Sequence, residues 1–287
     1  MFYRTGGLGL EFLIRDKDDA LWIKAYFAKE KGRAVKIREA VLHGKIHYVV
    51  EAAGSKKELQ AAVADFIMKK KRSEWICNQL KQAYFFQAEE EQNRILEIVD
   101  GMLKGERPEL TDLAGEIDER AAIEGAVAPL VGESCTLPLA SVLTFRLKGY
   151  FDCLDRYIGI AIDEYKMEQE YQVFVQSLRD YLKQKEPKRE KIKLCLGEQV
   201  KFYNGQFREM TREELDGLID RRLLSNHPVY IDSVTIAPLL SIAPSRIEIY
   251  TDTPDHALIR TICNIFEERV AVKSRMHFMH DQLAASE

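Results

Sequence analysis

The sequence predicts a helix-rich α+β protein: an N-terminal β-α-β-β-α unit over residues 1–72, a central helical bundle over 73–186, and a C-terminal α/β unit over 187–287. Three observations carry that expectation. Apolar residues alternate near both ends of the chain, at Leu8, Leu10, Phe12 and Ile14 and again at Ile192, Leu194 and Leu196, the period of a strand with one buried face. Between them, from Trp75 to Leu182, apolar residues recur at helical spacing. The charged, proline-bearing stretch Lys183–Lys191 then reads as a linker.

The first unit follows in order. After the opening strand, Asp18 and Asp19 precede Leu21, Trp22, Ala25 and Tyr26, whose spacing places them on one face of a helix ending near Gly32. Val35, Ile37 and Val41 lead into a turn at His43-Gly44, and Ile46, Tyr48 and Val50 return as a strand. Ser55 with Glu58 is a capping box, and Leu59, Ala62, Val63, Phe66 and Ile67 share one face of the helix it starts.

Residues 74–186 show no convincing strand; Gly105–Pro108 and Gly132–Pro138 read as loops, and a long helix is expected from Leu139 to Leu182, with Gly149 or Gly159 as bending points. In the last unit Val200 and Phe202 alternate, and Asn204-Gly205 signals a type I′ hairpin before Phe207. Thr211 and Glu214 form a second capping box for a helix through Leu223. A short helix interrupted by Pro238, a strand at Ile247 and Ile249, a helix over 255–269 and a strand at Val270 and Val272 complete it, with a frayed tail expected from Ser274.

Composition narrows the function. The 46 acidic and 42 basic residues give a net charge of −4, without the basic surplus of a nucleic-acid binder. No signal peptide and no apolar run of about 18 residues is present, so a cytoplasmic chain without membrane insertion is expected. The five cysteines are scattered and read as reduced and mostly buried. Gly6, Gly7 and Gly9 precede the first strand, the wrong side of it for a phosphate loop. His277 and His280, with Asp281 beside them, lack a third ligand, and His43 and His47 read as exposed turn histidines. Lys69-Lys70-Lys71-Arg72 reads as the solvated end of a helix. No catalytic residue, cofactor site or metal site is assigned.

The long helix carries the most informative pattern. Tyr150, Phe151, Leu154, Tyr157, Ile158, Ala161, Ile162 and Tyr165 fill a wide apolar arc, while Gly149, Asp152, Arg156, Gly159 and Asp163 form a stripe on the opposite side. The glycines would admit another backbone, and Asp152 and Arg156 stand at ion-pair spacing. Arg146 and Glu164 fall at the edge of the apolar arc, where a desolvated charge needs a partner. This stripe is the candidate polar interaction surface.

The segments FRLKGYFDCLDRYIGIAIDEYKMEQEYQVFVQSLRDYLKQKEPK, the turn at Asn204-Gly205, LLSIAPSRIEIYTD and TICNIFEERV resemble the YtxC-like sporulation proteins of endospore-forming bacteria. The resemblance covers most of the chain, is strongest over residues 140–272, and rests on whole segments with no catalytic signature. It implies a sporulation setting and transfers no site residues. The expectation is a non-enzymatic interaction or scaffold protein with a protein partner of unknown identity and an open oligomeric state. The alternatives are an enzyme acting on a phosphorylated or nucleotide-like ligand and a nucleic-acid accessory protein using local basic patches.

Overall fold

Alternation builds the first sheet. In the computed structural model, which describes residues 8–31, 35–130, 135–197, 199–220 and 234–284, β1 (Leu8–Ile14) pairs antiparallel with β3 (Lys45–Gly54), setting Phe12 opposite Val50. β2 (Lys36–Leu42) completes a hairpin with β3, and His43 (φ +49) and Gly44 (φ +73) supply the two left-handed residues of its tight turn. His47 is buried in β3 with Nδ1 3.0 Å from the Lys45 carbonyl, so it is not the exposed turn histidine its position suggests. Gly6 and Gly7 lie outside the described residues.

The sheet order is β2-β3-β1-β4. β4 (Cys135–Pro138) pairs parallel with β1, Phe12 opposite Leu137, within a stretch that reads as a loop. Four residues are too few for a period to show, and the partner strand, distant in sequence, supplies the reason for the extended backbone. Helices α1 (Lys17–Lys31) and α2 (Lys56–Phe66) contribute Ile23, Phe27, Leu59, Val63 and Phe66 to a core shared with Phe12, Ile14 and Val50. The Ser55–Glu58 capping box forms in both directions.

Beyond α2 the chain passes through a π-helical turn, Ile67–Lys71, into α3 (Arg72–Gln82), then α4 (Glu89–Leu103), α5 (Pro108–Ala114) and α6 (Glu119–Val127). After β4, the short α7 (Leu139–Ser141) runs into a second π turn, Val142–Arg146, and α8 (Lys148–Lys183) follows. The break in the long helical stretch falls at Leu147 (φ −96, ψ 10), ahead of both glycines. Ile76 and Leu80 of α3, Ile95, Ile98 and Val99 of α4, and Tyr157, Ile158, Ala161 and Ile162 of α8 form one buried cluster, the apolar arc expected of α8.

The chain divides into two compact units, residues 1–167 and 168–287. In the second, β5 (Lys191–Leu196) pairs antiparallel with β6 (Val200–Asn204) and parallel with β7 (Arg246–Tyr250), and β8 (Val270–Lys273) pairs parallel with β7, giving the order β6-β5-β7-β8. Ile192, Leu194, Ile247 and Ile249 face a core with Leu178 and Leu182 of α8, Leu239 and Leu240 of α10 (Ile236–Ile242) and Ile259 and Ile262 of α11 (Ala257–Phe266). Pro238 stands in the first turn of α10, where no helical N–H is lost. α9 (Arg212–Leu218) is capped by Thr211 and Glu214 as expected.

Two local readings are corrected. The type I′ turn does not form at Asn204-Gly205: the Asn204 side chain accepts from the Gln206 and Arg208 amides, and the left-handed residue is Phe207 (φ +61). Residues 275–284, expected to fray, form α12 (Arg275–Ala284). The fold class is the α+β, helix-rich one predicted.

Candidate functional site

The first unit contains an open cleft of about 470 Å³ lined by Lys71, Glu74, Trp75, Asn78, Leu143, Thr144, Lys148, Phe151 and Asp152. Two helical stripes make it. Lys71, Glu74, Trp75 and Asn78 recur at intervals of three and four along α3 and the turn before it, and Lys148, Phe151 and Asp152 do so at the start of α8. The Trp75 and Phe151 rings lie 4.7 Å apart and form the apolar floor. Leu143 and Thr144, in the second π turn, close one end.

The electrostatics of the cleft are set by carboxylates next to the basic run. Lys69 pairs with Asp65 at 2.9 Å, Lys70 with Asp19 at 3.2 Å, and Lys71 with Asp19 and Glu74, both at 2.6 Å. Arg72 reaches Asp100 at 2.9 Å and Glu119 at 2.7 Å, and the Tyr150 hydroxyl donates to Glu119 at 2.7 Å. Lys70, Lys71 and Arg72 are therefore paired, largely covered charges, whereas Lys69 is paired but stays exposed as a solvated helix end would. The run spans the π turn and the start of α3, where Lys70 and Lys71 converge on Asp19 while Lys69 and Arg72 reach other helices. Burial alone would lower the Lys71 pKa, but its hydrogen bonds to Asp19 and Glu74 outweigh this and hold it above the ordinary lysine value. Burial, reinforced by the charge of Glu119, raises the Tyr150 pKa, so Tyr150 remains a neutral donor.

Of the α8 stripe, Asp152 enters the cleft wall. Arg156 is exposed and turns its guanidinium to Cys153 Sγ, 3.4 Å away, rather than to Asp152. Asp163 is exposed, and a Cβ built on Gly149 or Gly159 meets no described atom within 4 Å. Arg146 stands exposed in the π turn, because the break at Leu147 ends the helical register that placed it beside the apolar arc. Glu164 is partly covered and pairs with Arg107 at 3.2 Å. His277 and His280 are exposed on α12, with His277 Nδ1 2.7 Å from Ser274 Oγ. Among the described residues no cluster of three histidine, cysteine or carboxylate side chains is arranged to hold a metal.

Sequence reasoning found Trp75 and Phe151 as core positions and Lys71 as part of a basic run, but it did not bring them to one cleft, and it overlooked Lys148. The available signal was the repetition of a Lys, an aromatic residue and a carboxylate within one turn on each of the two helices.

The fold and the cleft define a helix-rich α+β protein with an open amphipathic groove in its first unit. The chain belongs to the YtxC-like family, which residues 57–271 match. It is 32% identical over 262 residues to the "Uncharacterized protein YtxC" of Bacillus subtilis (strain 168), across 91% of this chain and 92% of that relative. No solved structure matches it. Among the described residues no helix is long and apolar enough to cross a membrane.

Proposed function

We propose that this protein is a non-enzymatic cytoplasmic interaction protein acting in sporulation, and that the cleft between α3 and α8 receives a segment of a protein partner. The charge balance of the cleft carries this reading: two cations, Lys71 and Lys148, and two carboxylates, Glu74 and Asp152, surround an aromatic floor. A polypeptide offers matching chemistry, an apolar side chain flanked by charges of either sign. A nucleic acid or a phosphorylated substrate would need a surplus of positive charge there, and Asp19 and Glu74 already neutralise Lys71. Gly149, Arg156, Gly159 and Asp163 lie on the same side of α8 as Asp152 and extend the proposed contact surface along the helix. The sporulation setting rests on the family resemblance.

The test reverses charge on the exposed rim, using Lys148→Glu and Asp152→Lys, and follows the melting temperature, the proteins that co-purify from sporulating cells, and spore yield. The expected result is an unchanged melting temperature with loss of a specific co-purifying protein and reduced spore yield. A full set of co-purifying proteins and normal spore yield from the double variant would sink the proposal.

A further inference from the structure

In the second unit, alternation sends Ile192, Leu194, Ile247 and Ile249 into the apolar core and leaves Lys191, Lys193, Arg246, Glu248 and Tyr250 on the other face of the sheet. Lys193 is only 4% exposed and Glu248 only 5%. Buried charges on adjacent strands normally pair with each other. These two do not. Glu248 lies 3.5 Å from Arg246, 3.5 Å from Lys273 and 3.8 Å from Lys191, and it accepts from the Tyr250 hydroxyl at 3.2 Å. Lys193 donates to the Gly205 carbonyl at 2.8 Å, and its Nζ sits 3.0 Å from the centroid of the Phe207 ring. It has no carboxylate partner among the described residues, and burial lowers its pKa. The neighbouring Lys201 and Glu209 neutralise each other at 3.1 Å. Among the described residues three cations, Lys191, Arg246 and Lys273, thus share the Glu248 carboxylate, and Lys193 stands on the same face without one.

α12 covers this face by two side chains. The Phe278 ring lies 4.9 Å from that of Tyr203, 5.3 Å from Phe207 and 5.1 Å from Tyr250. Asp281 accepts from Lys273 Nζ at 2.9 Å and shares the single Tyr250 hydroxyl proton with Glu248, the hydroxyl lying 3.0 Å from Asp281. No residue of the helix is fully buried; Phe278 and Asp281 are half-buried, and Met276, Met279 and Leu283 are turned to water. Arg275 at its start donates its backbone N–H to Asp252 at 3.3 Å, and with its large apolar side chains outward the helix's own hydrophobic pattern does not account for the inward turn of Phe278 and Asp281.

We infer that this sheet face binds an aromatic oxyanion, a flat ring carrying a phosphate-like dianion, in a site that α12 plugs with its own Phe278 and Asp281. The plug describes the ligand. Phe278 fills a box of three aromatic rings, and Asp281 supplies the anion to Lys273 and Tyr250. With Asp281 withdrawn, four cations face Glu248 alone, so a dianion balances the site better than a single carboxylate. Lys273 and Tyr250, which already meet the Asp281 carboxylate, are placed to meet it, and Lys193 adds its charge from beneath the Phe207 ring. This inference is independent of the cleft in the first unit.

The experiment titrates the full chain with inorganic phosphate and with phenyl phosphate by calorimetry. Asp281→Asn, which keeps the shape and removes the competing charge, is expected to tighten both probes at least tenfold. Adding Phe278→Ala should tighten phenyl phosphate further and leave inorganic phosphate unchanged. Lys273→Gln, and separately Lys193→Met, placed in the Asp281→Asn background should each abolish the gain; melting curves confirm that each variant is folded, and Lys273 at the rim serves if Lys193→Met is not. Absence of any gain on removing the plug, or a gain that survives the lysine substitutions, would overturn the site. Equal tightening of the two probes after Phe278→Ala would overturn the aromatic character of the ligand.

Discussion

Two lysine-rich places in this chain resolve their charge in opposite ways. At Lys69–Arg72 in the first unit, five carboxylates of α1, α2, α3, α4 and α6 meet the four cations, and each cation is paired within 3.2 Å. On the sheet of the second unit, Lys193 is buried against a ring and a carbonyl while Glu248 is shared by three other cations. The first arrangement fastens helices: removing one member leaves the others stranded. The second leaves Lys193 without a carboxylate in pairing distance among the described residues. A buried charge with its partners present reads as architecture, and one without them reads as a place kept for something else.

The largest effect expected from this contrast is at Arg72. Its guanidinium holds Asp100 and Glu119, and Glu119 in turn accepts from Tyr150. Arg72→Ala strands a covered carboxylate and should destabilise the first unit by about 3–5 kcal/mol, read as a shift in its urea unfolding midpoint. A loss below about 1 kcal/mol would mean that the network is solvated, and the contrast between the two regions would lose its first half.

A smaller effect distinguishes Lys71 from Lys193 by the sign of its pH dependence. The folded-state pKa of Lys71 is raised above 10.5, so its stabilisation is fully present below that value and is lost as pH rises through the folded pKa. The folded-state pKa of Lys193 is lowered, so its cost to stability is fully present at low pH and is relieved as pH rises from the lowered value toward 10.5. Unfolding free energies measured below the ordinary lysine value of 10.5 and again above it, compared with those of Lys71→Met and Lys193→Met, should therefore diverge. The Lys71 contribution should fall with pH and the Lys193 penalty should shrink. Parallel curves for the two variants would show that Lys193 has found a counter-charge.

Much of the fold was legible because local signals agreed with it. Both capping boxes, the His43-Gly44 turn and the apolar arc of α8 are written in spacings of two to four residues. The parts that were not legible depend on distant neighbours. β4 is a strand because β1 lies beside it, and α12 is ordered by Tyr203, Tyr250 and Lys273; the turn at Phe207 is instead a local exception, set by the Asn204 side chain. The same holds for the sites. Asp152 was singled out from the pattern of one helix, but the cleft around it needed the π turns, which no periodicity announces. Lys193 and Glu248 are the polar positions of the alternating segments IKLCL and RIEIY, which sequence alone places on a solvated face; their burial follows from the register that sets them side by side and from the chain that covers that face.

The smallest expected effect tests the α8 stripe, where charge is neither paired as at Arg72 nor buried as at Lys193. Gly159 lies in the interior of α8 and a Cβ there meets no described atom within 4 Å, so the backbone has no need of glycine within its own unit. Gly159→Ala removes the conformational freedom glycine gives the unfolded chain and should stabilise the protein by about 0.5–1 kcal/mol, a modest rise in melting temperature. If the stripe is a contact surface for a partner, Gly159→Leu, which projects a bulky side chain from the same point, should keep the protein stable yet reduce co-purification and spore yield. Stability rising with alanine and function unaffected by leucine would make the stripe a solvated helix face. A loss of stability with alanine would instead mean that another part of this chain packs against Gly159, and the stripe would then belong with the paired charges of the first unit as a structural element.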